Sequence, residues 1–371
     1  MIYADNAATT KLDIDAFEAM TPFFLENYAN ASQPYSFARL VKKAVKEARE
    51  TVAACIGADP DEIFFTSGGT ESDNWAIKGA ASRTGRHHVI TTAFEHHAVI
   101  HTCEHMKQSG CVVTYLMPTS EGVITADALS KVITPDTSIV SVMMVNNEIG
   151  TIQPIKELCK IAHEKGVLFH TDAVQAVGHI PIDVHDLGID FLSASAHKFN
   201  GPKGIGFLYI KKGTQIEAYH DGGAQEYGLR AGTENVAAIV GMATALSKNH
   251  ITLGKNELHL RELEAIILNG LEAAQIDFRR NGHGLQIPGN LSLSFRNYEG
   301  EMLLHRLDLM GVMVSTGSAC DSQNTQISHV LKAIGADPKY ALGTIRISLG
   351  KDNTPAEAEE IVRAIIKIIK M

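Results

Sequence analysis

An apolar run, Phe191-Leu-Ser-Ala-Ser195, leads into Ala196-His-Lys198 and then the glycine-rich turn Asn200-Gly-Pro-Lys-Gly204. A lysine at a strand end is commonly a surface charge. Held near an electrophilic carbonyl, it is the amine of a Schiff base. One strand earlier, Val167-Leu-Phe-His-Thr-Asp172 ends in an acid. A carboxylate there is expensive to bury unless paired; it either caps a turn or faces a cationic ring nitrogen. Further upstream, Thr66-Ser-Gly-Gly-Thr-Glu-Ser72 joins a strand to a helix. Gly69, Thr70 and the following amides suit an anion at a helix N-terminus, although alone the stretch is equally a plain capped turn. It lacks the Lys-Ser/Thr ending of a P-loop, and G-x-G-x-x-G is absent, so nucleotide readings lose ground. An amine, an acid and a phosphate turn are together the anchors that pyridoxal phosphate requires: aldehyde carbon, ring nitrogen and phosphate. The set is far more specific than its members.

Other residues could join them. His96 and His97 end Thr91-Thr-Ala-Phe-Glu-His-His97; one of the pair is expected to be structural and the other to face a site. No third ligand is suitably spaced for a metal. Cys320 lies among small and polar neighbours in Ser315-Thr-Gly-Ser-Ala-Cys-Asp321, a setting that fits a nucleophilic or redox thiol. Cys55 and Cys159 sit in apolar helical patterns and read as inert. Arg346 alternates with Ile345 and Ile347 on a strand; it reads as a bidentate carboxylate binder or, taken alone, as a surface salt bridge.

These residues need a scaffold. Strands are predicted at 63–67, 89–92, 112–116, 139–145, 167–172, 190–195 and 205–210. Helices are predicted at 36–55, 72–81 and 155–165, from apolar residues at i, i+3 and i+4. Strands apolar throughout and alternating with helices predict a mostly parallel seven-stranded sheet sandwiched by helices, an α/β fold. Ligands bind beyond the carboxyl ends of such strands, where Thr70, His96, Asn147, Asp172, Gln175, His197 and Lys198 fall. After residue 245 the character changes: a charged helix at 256–274, half-exposed alternating strands at 290–295 and 344–349, and a last helix opened by Thr354-Pro355. The expected division is a large domain over 16–245 and a smaller α+β domain formed by 1–15 with 246–371, which carries the Cys320 loop at about 315–329.

The totals limit the alternatives. The 371 residues are 45% hydrophobic and 20% charged, with a formal charge of −9; a general nucleic-acid binder would show a basic excess. Five unpatterned cysteines fit reduced thiols. Without a signal-peptide pattern or an apolar stretch of membrane-spanning length, a cytoplasmic protein is expected.

In order along the chain, Asp5-Asn-Ala-Ala-Thr-Thr10, Thr66–Asn74, Glu95-His96, Val145–Gly150, His170-Thr-Asp172 with Gln175, Ser195-Ala-His-Lys198, Gly201-Pro-Lys-Gly204, Arg230–Asn235, Ser318-Ala-Cys320 and Ile345-Arg346 match one pattern. The sequence resembles the cysteine desulfurases of the NifS/IscS type, in the class-V aminotransferase superfamily with the type I pyridoxal-phosphate fold. The resemblance implies that Lys198 holds the cofactor, Asp172 pairs with its ring nitrogen, Gln175 meets the ring hydroxyl, and His96 stacks on the ring and moves protons. Gly69, Thr70, Ser195 and His197 are implied at the phosphate. Thr233 is implied at the phosphate of a second subunit, hence a homodimer. Asn147 and Arg346 are implied at the substrate carboxylate. The implied reaction takes L-cysteine to alanine and leaves a persulfide on Cys320 for a sulfur-acceptor protein. Asp321 departs from the usual small or hydroxyl residue, and a neighbouring carboxylate raises a thiol pKa. The spacing from Cys320 to Ser328 matches the long-loop group that donates directly to partners. A chain ending at Met371, just after its last helix, lacks the tail by which longer members dock an iron–sulfur scaffold, so a thiolation or biosynthetic protein stands equally as acceptor. A selenocysteine lyase, another class-V lyase or aminotransferase, and a sulfur-relay protein without cofactor remain as alternatives.

Overall fold

The computed structural model describes residues 1–316 and 327–370. Its centre is a seven-stranded sheet in the order Ile63–Thr66, Gly206–Ile210, Phe191–Ser195, Leu168–Asp172, Thr137–Ser141, His88–Thr92, Val112–Leu116. Gly206–Ile210 runs antiparallel to both its neighbours; the other adjacent pairs are parallel. Successive side chains in a strand point to opposite faces, and both faces are apolar. Phe64, Val89, Ile139, Phe191 and Leu208 belong to one buried cluster; their sequence neighbours Phe65, Ile90, Val140, Leu192 and Phe207 belong to another. This is why the strands read as continuous apolar runs. The sheet is the mostly parallel, helix-covered α/β sheet expected.

Element boundaries follow local chemistry. The Ala38–Ile56 helix ends on Gly57 in the left-handed region. The helix expected from residue 72 begins three residues earlier, at Gly69: the glycine turn is itself the first helical turn, and Gly68 takes the cap position. The strand expected over 139–145 stops at Ser141, after which the chain continues to Asn146.

A second apolar core gathers Ile2 and Ala4 with Leu263, Ile267, Leu291, Leu293, Ile345, Ile347, Ile361 and Ile365. It includes one face of an antiparallel sheet ordered Thr344–Ser348, Asn290–Phe295, Phe278–Arg280. The N-terminal strand Ile2–Tyr3 pairs in parallel with Val312–Met313. Two expectations are corrected here. The helix predicted from 256 is the last part of a 38-residue helix, Val236–Ala273. Its Ala238–Leu246 part lies in the first core and its Leu260–Leu271 part in the second. The strands predicted to be half-exposed are buried on both faces, because Ser292, Ser294, Thr344 and Asn281 satisfy one another's polar groups: Asn281 Nδ2 donates to Ser292 Oγ at 3.1 Å and to Ser294 Oγ at 2.8 Å. Alternation of apolar and polar residues therefore does not mark a solvent face in this sheet. At the last helix, Thr354 is the N-cap and Pro355 lies in the first turn, as the sequence predicts, and Glu357 completes a capping box.

Candidate active site

The carboxyl ends of the sheet strands surround a cavity of about 300 Å³. Every described site residue singled out from the sequence lines it except Thr233: Gly69, Thr70, His96, Asn147, Asp172, Gln175, Ser195, His197, Lys198 and Arg346. Thr233 is exposed on a loop away from this cavity. Cys320 and Asp321 lie outside the described residues. Ala7, Ala8, Asp73, His97, Glu148 and His329 also line the cavity and were not assigned there from sequence. The motifs around Asp5, Thr66 and Glu95 contain or adjoin most of them, so the signal was present without its meaning.

Lys198 follows the Phe191–Ser195 strand in a single 3-10 turn, Ala196–Lys198. Its Nζ donates to the carbonyls of Ala7 at 2.6 Å and Ala8 at 2.8 Å. The N-terminal segment is thus part of the site. It is fastened on one side by Thr10 Oγ1 to the His197 carbonyl and by Gln175 Nε2 to the Ala7 carbonyl. On the other side it is fastened by Ala7 N to Ser348 Oγ and by Arg346 Nη2 to Asp5 Oδ1 at 2.7 Å. Arg346 is 3% exposed and also donates Nη1 to the Asn147 carbonyl at 2.9 Å. It is no surface salt bridge.

Asp172 is buried, and its Oδ1 accepts from Val174 N at 2.9 Å. One oxygen therefore caps the turn, as one reading of this acid expects, while the residue also lines the cavity. Burial pushes it up to about 6, against the pull of the Val174 amide and Lys198. It belongs to a buried set with Asp73, Glu95 and His170. Burial, then the Asp172 and Glu95 charges, hold Asp73 well above the usual carboxylate range. Burial takes His170 down to about 3; this neutral ring lies between Ser141 Oγ at 2.8 Å and Ser193 Oγ at 2.9 Å.

His96 caps the His97–Gln108 helix, its Nδ1 accepting from Ala98 N at 3.1 Å. Burial first, then the Lys198 charge and the neighbouring histidines, lower it to about 4. It is neutral at pH 7, and with Nδ1 accepting, the ring proton sits on Nε2. His197 is likewise lowered to about 4, by burial and then by Lys198 and Lys203; its Nδ1 is 3.1 Å from Thr9 Oγ1. The Gly69–Thr84 helix has no side-chain cap at Gly68, leaving its first amides for an anion. A Cβ on Gly69 would stand 2.5 Å from Val174 Cγ2, so only glycine lets the helix start approach this closely.

Cys55 and Cys159, expected to be inert, are both buried, and burial raises the Cys55 thiol to about 11. Among the described residues no group of His, Cys, Asp and Glu is placed to hold a metal ion, and no helix is long and apolar enough to cross a membrane. The cavity combines an amine, a buried acid, an uncapped helix N-terminus and a guanidinium, which together suit an anionic aromatic cofactor and a carboxylate substrate.

Residues 2–361 match the family Aminotransferase class-V. A Clostridium botulinum protein named cysteine desulfurase IscS is 46% identical over 374 residues, covering 100% of this chain and 94% of its own. A Dictyoglomus turgidum protein of the same name is 48% identical over 373 residues, with the same coverage. A solved structure described as a NifS-like protein aligns with TM-score 0.94 at 38% identity, covering 100% of this chain and 99% of its own. The structure of SspA in complex with cysteine aligns with TM-score 0.84 at 36% identity, covering 95% of this chain and 100% of its own.

Proposed function

The chain belongs to the class-V aminotransferase family, and from that premise we propose that it is a pyridoxal-phosphate-dependent cysteine desulfurase acting on L-cysteine. The observation that carries this reading is one cavity lined by Lys198, Asp172, Thr70 and Arg346, in a chain matched along its full length by relatives bearing that name.

The residues fit pyridoxal phosphate. Asp172 is a buried carboxyl whose ionised form a cationic ring nitrogen would stabilise. The cradle at Gly69 is one that a Cβ would fill, and the uncapped helix start beside Thr70, Ser195 and His197 suits a dianion. Lys198 would supply the amine for the aldehyde, Gln175 would meet the ring hydroxyl and His96 would stack on the ring. Bound there, the cofactor supplies an electron sink that makes the substrate Cα proton acidic and the sulfur transferable.

The chain's own groups do the rest. Arg346 and Asn147 hold the substrate carboxylate, fixing which bond at Cα faces Lys198. The Lys198 amine takes the Cα proton. His96, neutral and protonated at Nε2, is the group that can give a proton back. The Cys320 thiolate attacks the substrate sulfur; the S–S bond forms as the C–S bond breaks, the carbon takes up a proton, and alanine leaves. The persulfide on Cys320 then passes its outer sulfur to an acceptor protein, an iron–sulfur scaffold or a thiolation enzyme.

The enzyme is a homodimer in this reading. Phe17, Phe24, Leu25, Tyr28, Tyr35 and Leu40 are exposed, apolar side chains that a partner subunit would cover. Thr233, exposed on its loop, would be available to the partner's cofactor phosphate.

The test is Cys320→Ala. The variant is expected to keep the cofactor's visible absorbance and lose alanine formation from L-cysteine. Alanine formed at the unmodified rate would instead mean a lyase that needs no acceptor thiol.

A further inference from the structure

The loop that carries Thr233 contains a backbone irregularity. Glu226 (φ 44°, ψ 48°) and Tyr227 (φ 57°, ψ 27°) are consecutive non-glycine residues in the left-handed region. Single residues of this kind are uncommon, and strain of this sort persists only where the surroundings enforce it. Here they do. Glu226 is buried, and both its carboxylate oxygens take the two arms of Arg49, at 2.7 and 2.8 Å. The same Oε2 accepts Phe65 N at 2.9 Å. The Arg49 guanidinium also donates to the Ile63 carbonyl and stacks 4.3 Å from the centre of the Phe65 ring. The loop is therefore locked to the Ile63–Thr66 edge strand of the main sheet by a planar fork that lysine could not replace.

A second pair fixes the same loop closer to Thr233. Arg230 Nε and Nη2 bind the Glu71 carboxylate at 2.8 and 3.2 Å, and Glu71 Oε2 also accepts Ser67 N at 2.9 Å. Glu71 lies in the first turn of the helix whose N-terminus faces the cofactor cavity. The two ion pairs tie the loop to the strand and the helix flanking its own phosphate turn, while Thr233 remains exposed and outside its own cavity.

We propose that the Arg49–Glu226 pair is a positioning clamp: it holds the 222–235 loop in a strained shape that presents Thr233 to the cofactor phosphate of the partner subunit. This rests on the homodimer reading above. Neither clamp residue lines the cavity, so its effect on cofactor binding would pass through Thr233. The unequal contributions of the two subunits then meet at each phosphate: helix amides and Thr70 from one chain, a clamped hydroxyl from the other.

The test compares Glu226→Gln, Arg49→Lys and Thr233→Ala in the full-length protein. It measures dimer mass, thermal stability, and the dissociation constants of pyridoxal phosphate and of pyridoxal, which lacks the phosphate. A lost hydrogen bond to a charged group corresponds to roughly 10- to 100-fold in binding. Thr233→Ala and Glu226→Gln are each expected to weaken pyridoxal phosphate by about that factor while leaving pyridoxal binding and dimer mass unchanged. The double variant is expected to bind no more weakly than Thr233→Ala alone. Arg49→Lys, the milder change, supplies the same comparison if Glu226→Gln does not fold. Equal weakening of both ligands, or losses that add in the double variant, would overturn the clamp. A Thr233→Ala variant with unaltered phosphate affinity would overturn the trans-subunit reading and the clamp with it.

Discussion

Glu95→Gln should make the protein less sensitive to alkaline conditions. Glu95 is fully buried; its Oε1 accepts from Thr92 Oγ1 at 2.8 Å and Met143 N at 2.9 Å, while Oε2 has no hydrogen-bond partner. Burial, and to a smaller extent the Asp172 charge, push the carboxyl from 4.5 up to about 8, although the Met143 and Thr92 bonds pull it down. Folded, the group keeps its proton to about pH 8; unfolded, it releases it near 4.5. Between these values the folded chain binds one proton more, so stability is full below the lower value and is lost as pH rises through the upper one. The slope is about 1.4 kcal/mol per pH unit, or about 3 kcal/mol between about pH 5.5 and about pH 8. An unfolding entropy of about 2.1 cal/mol/K per residue gives about 0.8 kcal/mol/K for this chain, so the Tm difference is about 4 °C. Glutamine keeps the oxygen that accepts both bonds and has no proton to lose. Calorimetric scans of the cofactor-free protein at fixed concentration should therefore show the natural chain losing about 4 °C more than Glu95→Gln over this pH interval. An equal loss in both proteins, or a Glu95→Gln Tm depressed by the same amount at both pH values, would refute a proton held on Glu95.

Gly69→Ala drives a methyl to 2.5 Å from Val174 Cγ2 and should weaken pyridoxal phosphate binding roughly 5- to 150-fold, since overpacking of this kind costs about 1–3 kcal/mol; absorbance titration of the apo protein measures it, and adding Val174→Ala should restore most of the loss. Arg346→Lys replaces a fork bonded to both Asn147 and Asp5 by a point charge, and steady-state kinetics should show KM for L-cysteine raised roughly 10- to 100-fold with kcat much less affected.

The parts of the site that could be read from sequence are those that end strands. Thr70, Asp172 and Lys198 each follow an apolar run, and parallel strands bring such ends together whatever their separation along the chain. Residues that reach the cavity by long-range closure carry no periodic signal. Ala7 and Ala8 contribute backbone carbonyls, which no side-chain pattern announces. Asp73 and Glu95 sit inside recognised motifs, but sequence does not say that they are buried acids sharing a floor with Asp172. The same limit explains the misread strands around Asn290 and Arg346: alternation was legible, whereas the hydrogen bonds among Asn281, Ser292, Ser294 and Thr344 that accompany burial of the serine face were not. The long Val236–Ala273 helix escaped because its opening residues, 236–246, are small and almost wholly apolar, without an amphipathic stripe to mark them.

The segment from Asp5 to Thr10 has a consequence for how the protein is made. It meets Lys198 on one side and Ser348 and Arg346 on the other, bonds that span 341 positions between Ala7 and Ser348. Contacts of such range form late in folding, and on a growing chain Asp5 must wait for Arg346 to emerge from the ribosome. A nascent polypeptide halted before that point can build the parallel sheet and even Lys198, but the roof over the amine is still missing. Cofactor capture should thus be a post-translational event, and a stalled or truncated translation product should be recognisable by its failure to retain the yellow colour of the finished enzyme.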